Sequence, residues 1–401
     1  MPWNKKNVNL SRRATRRLIL VAHYANIAFR NGEYRTMKRL RVGIIGHGRS
    51  GQDIHGVYLA TDPRFQIVAV ADPLETRRQA AVRAYGCEAH ADYRDLLKRR
   101  DLDLVVNATF SHLHAPITRE TMLAGHHVLC EKPLARTTAE VDDLIGVSQS
   151  TGRLLAIFQQ SRYAGYFRQV RRVIDSGVLG RLVQVSIAFN GHARRWDWQT
   201  LQAYNGGSLA NTGPHPLDQA LVLFGEGDPE IFCHMDRTEG TTGDAENHVK
   251  LLLRGPGHPL VDLEISSCCA YPCFTYQIFG TRGGLKGTQS EAAWRYYDPA
   301  TLAPLRLVSE PLADPATGHP VFCSEKIPWQ TGRWPDAPDA AEGGAGYAPG
   351  QPESSPTQAF YDMLHRSLTL GAPLEITPRQ VRRQIAVIEA CRRQNPRIYK
   401  A

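Results

Sequence analysis

The chain has 401 residues, 42% of them hydrophobic and 22% charged, and no apolar run reaches the roughly 18 residues that a membrane span needs. This describes an ordinary globular protein of two domains and excludes a membrane protein. The formal charge of +9 invites a nucleic-acid reading, but residues 1–40 carry ten basic side chains against Glu33 alone, which accounts for all of it and leaves the rest neutral, so no nucleic-acid partner is expected.

Residues 1–36 read as a basic leader, a solvated extension outside the fold. Within it "SRRATRRLILVAHYANIAF" sets arginine pairs before a modest apolar stretch, as an export signal would. His23, Asn26 and the lack of a small-residue cleavage site weaken that reading, and Met37 just before the first strand offers another start. The protein is expected in the cytoplasm.

From residue 37 to 160 short β-branched runs alternate with amphipathic segments, predicting a doubly wound parallel sheet of the Rossmann type. The strands are 40–46, 66–72, 102–109, 126–133 and 154–159; helices fall near 75–85, 114–125 and 137–151, the last capped by Thr137 or Thr138 with Glu140 in its first turn. "GIIGHGRSGQDIHG" places Gly46, Gly48 and Gly51 in G-x-G-x-x-G spacing between the first strand and a helix. The first glycine permits the tight turn, the second lets backbone approach a pyrophosphate, and the third lets helix and strand pack closely. Asp72 ends the second strand, where a carboxylate accepts hydrogen bonds from a ribose and repels a 2′-phosphate, so NAD is expected over NADP. At the carboxyl end of a later strand, "CEKPLA" offers Glu131 and Lys132 before Pro133, which cannot continue the ladder.

Residues 161–401 read as a substrate-binding and oligomerisation domain. Strand-like stretches at 182–189, 230–236, 248–254, 260–267 and 274–280 follow one another mostly without helices, predicting a large, mostly antiparallel sheet. "GGSLANTGPHPLD" puts Asn211 and His215 four residues apart, on one helical face, with Asp218 nearby. Pro214 predicts a kink or a helix restart; a restart would set His215 near a helix N-terminus, where imidazolium is disfavoured. The alternative is a histidine satisfied within the core. Upstream, Arg194, Arg195, Trp196, Trp198 and Tyr204 suit a carbohydrate, since sugar C–H faces stack on indoles and guanidinium forks bind hydroxyl or carboxylate oxygens; the aromatics could equally be core anchors. The eight cysteines show no CxxC pair or metal-ligand spacing; most read as core hydrophobes, and "CCAYPC" at 268–273, whose neighbours read as strand, as a structural cluster, so no metal is expected. Residues near 310–356, rich in Gly and Pro towards their end, read as an irregular loop.

Taken in order, "VGIIGHGRSGQDIHG", "NATFSHLHAPITRETMLAGHHVLCEKPLA", "DSGVLGRL", "GGSLANTGPHPLDQALVLFG" and "FYDMLHRSLTLGAPLEITPRQVRRQIAVIEACRR" resemble the glucose–fructose oxidoreductase, inositol dehydrogenase and rhizopine catabolism family of NAD(P)-dependent oxidoreductases, from about residue 38 to 400. The resemblance implies hydride transfer between nicotinamide and a secondary hydroxyl or ketone of a sugar, glycoside or cyclitol. It also implies a homo-oligomer, dimer or tetramer, through the open face of the second sheet. Its candidate dinucleotide contacts are Gly46, Gly48, Arg49, Ser50, Gly51, Asp72, Thr109, His114, Glu131 and Lys132. Candidate substrate contacts are Arg162, Arg195, Trp196, Trp198, Asn211 and His215, with Lys132, Asn211 and His215 catalytic. Many family members carry aspartate where this chain has Asn211, and an amide cannot stabilise an imidazolium by charge. Lys132 is the alternative base, although its ordinary pKa of ~10.4 lies further from working pH than the ~6.5 of histidine. A catalytically silent NAD-binding regulator or scaffold is the alternative function.

Overall fold

The computed structural model describes residues 27–30, 33–36, 39–335 and 355–400. The export and leader readings of residues 1–26, the start at Met37, and the loop reading of residues 336–354 lie outside them. Within the leader, β1 (Ile27–Arg30) pairs antiparallel with β2 (Glu33–Thr36) as a separate two-stranded sheet.

The chain divides into two compact units. The first comprises residues up to Gln159, Ala203–Asn205 and Phe360–Ala386. The sequence reading placed the last two stretches in the second domain. Its sheet is parallel throughout, with β3 (Leu40–Ile45), β4 (Phe65–Ala71), β5 (Glu88–His90), β6 (Leu104–Asn107), β7 (Val128–Cys130) and β8 (Leu155–Ile157) in the order β5-β4-β3-β6-β7-β8. β6, β7 and β8 are buried at every position, which is why they read as unbroken apolar runs and not as alternating patterns. Each fully buried Val or Leu side chain contributes about 1.5–3 kcal/mol. The helix Thr138–Thr151 starts with a reciprocal capping box between Thr137 and Glu140 and ends at Gly152, whose φ of 65° only glycine adopts readily. β5 and the short helix Tyr93–Leu97 were not anticipated, because "EAH" has no apolar alternation and five helical residues carry too little periodicity.

The second unit comprises Gln160–Gln202, Gly206–Ala359 and Val387 onwards. Its sheet contains β9 (Leu182–Asn190), β10 (Glu230–Asp236), β11 (His248–Arg254), β12 (Leu260–Ser266), β13 (Tyr276–Gly280), β14 (Gly283–Gly287), β15 (Ala292–Tyr296) and β16 (Gln330–Trp334). Their order is β10-β11-β12-β9-β13-β14-β15-β16, all neighbours antiparallel except β12 and β9. The parallel Rossmann-type sheet plus a large, mostly antiparallel sheet is the expected fold class. Along β11, Val249, Leu251 and Leu253 are buried while His248, Lys250 and Leu252 are less so, and the helices Gly165–Asp175 and Pro214–Phe224 pack against the sheet. β14 was missed because its glycines hide the alternation; β16 falls at the border of the Gly- and Pro-rich segment that reads as loop. "CCAYPC" lies between β12 and β13, flanked by strands as read, and only Cys87, Cys130, Cys233 and Cys391 are buried, so the core reading of the cysteines holds for half of them. Among the described residues no helix is long and apolar enough to cross a membrane.

Candidate active site

In the first unit the glycine loop follows β3 where the strand order reverses between β3 and β6, the place at which open parallel sheets bind ligands. Gly46 has φ of 87°, and a Cβ there would lie 2.6 Å from the Ala108 carbonyl oxygen. A Cβ on Gly51 would lie 1.9 Å from the Gly46 carbonyl oxygen, so the loop closes on itself through a contact that no other residue permits. Gly48 lies beneath the Arg77 guanidinium, 3.5 Å from where its Cβ would be. Arg49 is exposed and Ser50 opens a π-helical segment, Ser50–Gly56, continued by the helix Val57–Thr61.

Asp72 is buried at the end of β4. Its Oδ2 accepts from the His47 N–H at 2.8 Å and faces Arg77 at 3.4 Å, while Oδ1 accepts from the Leu74 N–H at 2.9 Å. The carboxylate therefore organises the glycine loop, a task beyond the ribose contact read from sequence. With Gly46, Pro73, Thr109, Leu113 and Ile117 it lines a largely apolar cavity of about 520 Å³. Thr109 donates to Asn107 Oδ1 at 2.7 Å. His114 is buried with Nδ1 2.7 Å from the Pro133 carbonyl oxygen and Nε2 3.1 Å from that of Thr109, clamping the segments after β6 and β7; burial holds its pKa below the usual imidazole value.

Lys132 follows β7, half-buried, and its peptide bond to Pro133 is cis. The preceding Glu131 is buried beneath it. One carboxylate oxygen faces His55 Nε2 at 3.1 Å and the other accepts the Lys132 backbone N–H at 3.1 Å. Burial alone would push this carboxyl upward, but the His55 hydrogen bond and the charges of His55, Lys132 and His114 hold it at about 2. His55 Nδ1 in turn lies 2.7 Å from the Tyr361 hydroxyl, with both residues fully buried.

In the second unit the helix Ser208–Asn211 ends before Pro214, which is the first residue of a new helix, Pro214–Phe224. The helix restarts at Pro214, as one of the two sequence readings required, and Asn211 and His215 therefore belong to separate helices and not to one continuous face. His215 is half-buried with Nδ1 3.1 Å from Ser161 Oγ. Gln219 donates to the Ser161 carbonyl at 2.8 Å and accepts from Tyr276 at 2.5 Å. Arg162 pairs with Asp218, its Nε donating at 2.8 Å, and both side chains are largely buried. Asp218 thus belongs to Arg162, and a hydroxyl stands beside His215.

Arg195 and Asn211 do come together. With Gln199, Ser208, Glu246 and Asn247 they line one small recess of the second unit. Arg195 pairs with Asp197 at 2.6 Å and with Gln199. Glu246 is buried behind the recess, accepts the Leu209 N–H at 2.8 Å and pairs with Tyr399; burial pushes its carboxyl upward. Trp198 is half-buried, whereas Trp196 is 79% exposed and so anchors no core of this chain. Tyr204 lies in the first unit, against Phe110 and His112.

Sequence reasoning did not single out His55, Tyr361, Ser161 or Glu246. His55 was quoted within the glycine motif but bears no spacing that separates it from a core histidine, and its partners are 76 and 306 residues away. The ion pair of Arg162 with Asp218 carries a prediction. Arg162→Leu leaves a buried carboxylate unpaired and lowers unfolding stability by ~3–5 kcal/mol in urea titration, while adding Asp218→Leu restores most of the loss.

Two family models match this chain: "Oxidoreductase family, NAD-binding Rossmann fold" over residues 40–159, and "GFO/IDH/MocA C-terminal domain" over 167–286. It is 32% identical over 195 residues to dTDP-3,4-didehydro-2,6-dideoxy-alpha-D-glucose 3-reductase of Streptomyces violaceoruber, covering 48% of this chain and 57% of that protein. It is 33% identical over 191 residues to inositol 2-dehydrogenase of Salmonella paratyphi B, covering 47% and 55%. The chain thus spans a little over half the length of these relatives. The structure of aldose-aldose oxidoreductase from Caulobacter crescentus complexed with glycerol superposes with a TM-score of 0.69 at 21% identity over 90% of this chain and 98% of that one, a likeness of fold.

Proposed function

The chain belongs to the GFO/IDH/MocA oxidoreductase family, and from that premise we propose that it transfers a hydride between NAD and a secondary hydroxyl, or the matching ketone, of a sugar, glycoside or cyclitol. The observation that carries the dinucleotide half of this reading is the glycine loop. The contact that excludes a Cβ at Gly51, the positive φ of Gly46 and the cavity beside Asp72 together form a cradle for a pyrophosphate and an adenosine. A bound nicotinamide would supply the hydride acceptor.

The residues of this chain supply the rest. Lys132 and Asn211 hold the reacting oxygen, and His215, its ring oriented by Ser161, takes the hydroxyl proton as hydride departs. Arg195, in the recess with Asn211, and the exposed Trp196 offer a fork and a flat apolar face, the two surfaces a sugar ring presents partners for. The names of the relatives from Streptomyces and Salmonella, a deoxysugar reductase and an inositol dehydrogenase, support the same substrate class. The reading also includes a homo-oligomer through the outer face of the eight-stranded sheet, where Phe232 and Phe279 are exposed.

The test is a panel of sugars, glycosides and cyclitols with NAD, followed by NADH absorbance, on protein beginning at Met37. Turnover of at least one member is expected. Tight NAD binding with no turnover on the whole panel overturns the reading in favour of a silent NAD-binding regulator.

A further inference from the structure

The helix that carries Asn211, Ser208–Asn211, is too short to hold itself, since a first turn fixes several residues for one hydrogen bond and isolated helices of this length do not form in water. Its first N–H groups also lack a cap of their own, because the capping position is Gly207, which has no side chain. Glu246 supplies what is missing, from 37 residues beyond Leu209. Its backbone carbonyl accepts the Ser208 N–H at 3.0 Å and its Oε1 accepts the Leu209 N–H at 2.8 Å. Gly207 is what lets it approach: φ is 107° there, and a Cβ would lie 2.3 Å from Glu246 Oε2. Glu246 is itself fixed. It leads into β11 between Ala245, whose N–H bonds to the Thr200 carbonyl at 3.1 Å, and Asn247, whose N–H bonds to that of Asp236 at 3.1 Å. Its other carboxyl oxygen accepts the Tyr399 hydroxyl. Tyr399 is held in turn by its N–H on the Asn395 carbonyl at 2.9 Å, and the Asn395 side chain bonds to β10 at Met235 and Cys233. All of these residues belong to the second unit.

We infer that Glu246, clamped by Tyr399, is the positioning residue for Asn211: it grips the start of a helix that cannot form alone and so fixes the place from which Asn211 acts. The path between them is short. Glu246 holds Ser208 and Leu209, and within the same turn the Asn211 N–H bonds to the Gly207 carbonyl at 2.9 Å. The Thr212 and Gly213 N–H groups both bond to the Ser208 carbonyl, at 3.0 and 2.8 Å, which closes the turn before Pro214. Asn211, Ser208 and Glu246 line one recess. A carboxyl in the interior is costly unless its oxygens are hydrogen-bonded, so a residue needed here only to fill space would be apolar. The polar choice is explained by the donors it receives. This inference rests on the assignment of Asn211 to the reacting oxygen made above and deepens it, because an amide that orients a hydroxyl by hydrogen bonds alone works only from a fixed place.

The experiment reads the Asn211 side chain directly and needs no substrate. The full chain is labelled with ¹⁵N in its asparagine side-chain amides, and the Asn211 signal is identified in NMR spectra by its absence from Asn211→Asp. Glu246→Ala and Tyr399→Phe are expected to move or broaden that signal while leaving that of Asn107, in the first unit, in place. Glu246→Gln, which keeps an acceptor for the Leu209 N–H, is expected to return it to its original position. Thermal melting checks that each variant folds, and Tyr399→Phe, which loses a single hydroxyl, decides where Glu246→Ala does not. An Asn211 signal unmoved in every folded variant overturns the inference. Kinetics supply the second readout. On the best substrate of the panel Glu246→Ala lowers turnover by about 10- to 100-fold at unchanged NADH affinity, and by less than about twofold where Asn211 is already alanine. Losses that multiply independently overturn the inference as well. Absence of turnover by the unmodified chain on the whole panel is a failure of the functional reading, and the amide signal then still decides this one.

Discussion

His215→Ala lowers turnover by about 10² to 10⁴ while the affinity for NAD stays as it was. The expectation follows from where the residue sits. One helix ends at Asn211 and Pro214 begins another, so His215 is the second residue of an 11-residue helix. Its ring is oriented by Ser161, from a short 3-10 segment that Gln219 and the ion pair of Arg162 with Asp218 tie to the same helix. A base on such a support meets its substrate in one orientation, which is the condition for general-base catalysis to reach its usual magnitude. The glycine loop and Asp72 belong to the first unit and His215 to the second, so cofactor affinity is the internal control. Ser161→Ala removes one hydrogen bond worth about 1 kcal/mol and costs tenfold or less. The measurement is steady-state kinetics on the best substrate of the panel, beside a titration of NADH fluorescence. Turnover unchanged in His215→Ala removes the residue from the reaction.

The parts of this molecule that were legible beforehand are those whose cause is local. The glycine spacing, the buried strands on either side of it, the capping box at Thr137 and the break at Pro214 each depend on residues within about one turn or one strand of each other. What escaped depends on distant partners. Arg162 reads as a substrate contact, and the structure adds Asp218, 56 residues on, beside it; His114 reads as a cofactor contact, and the structure adds two backbone carbonyls at its ring. His55 is the clearest case: its neighbours in sequence predict only a helix after a glycine loop, and its meaning comes from Glu131 and Tyr361. Asp72 is a mixed case, since its place at the end of β4 was read correctly and its bond to the His47 N–H, which shapes the loop itself, was not.

Gly51→Ala tests the cradle on its own terms. The added methyl would sit 1.9 Å from the Gly46 carbonyl oxygen and 3.5 Å from the Ala108 Cβ, and the first contact is with backbone, which cannot swing aside as a side chain can. Either the loop or the following helix must move, and both are bound in place: Gly46 donates to the Ala71 carbonyl at 2.8 Å and Gln52 to that of Gly48 at 2.8 Å. Overpacking of this kind costs ~1–3 kcal/mol. Because the displaced atoms are the ones proposed to receive the pyrophosphate, the cost falls on cofactor binding, where ~3 kcal/mol corresponds to a Kd raised about 100-fold. Gly48→Ala is the comparison: its Cβ would meet only the end of the Arg77 side chain, at 3.5 Å, so without cofactor the loop keeps its shape. Calorimetric titration with NADH and thermal melting of both variants separate the two outcomes. The cradle reading requires NADH affinity to collapse in Gly51→Ala with the second unit still folded; affinity retained in that variant would mean that the dinucleotide does not lie on this loop.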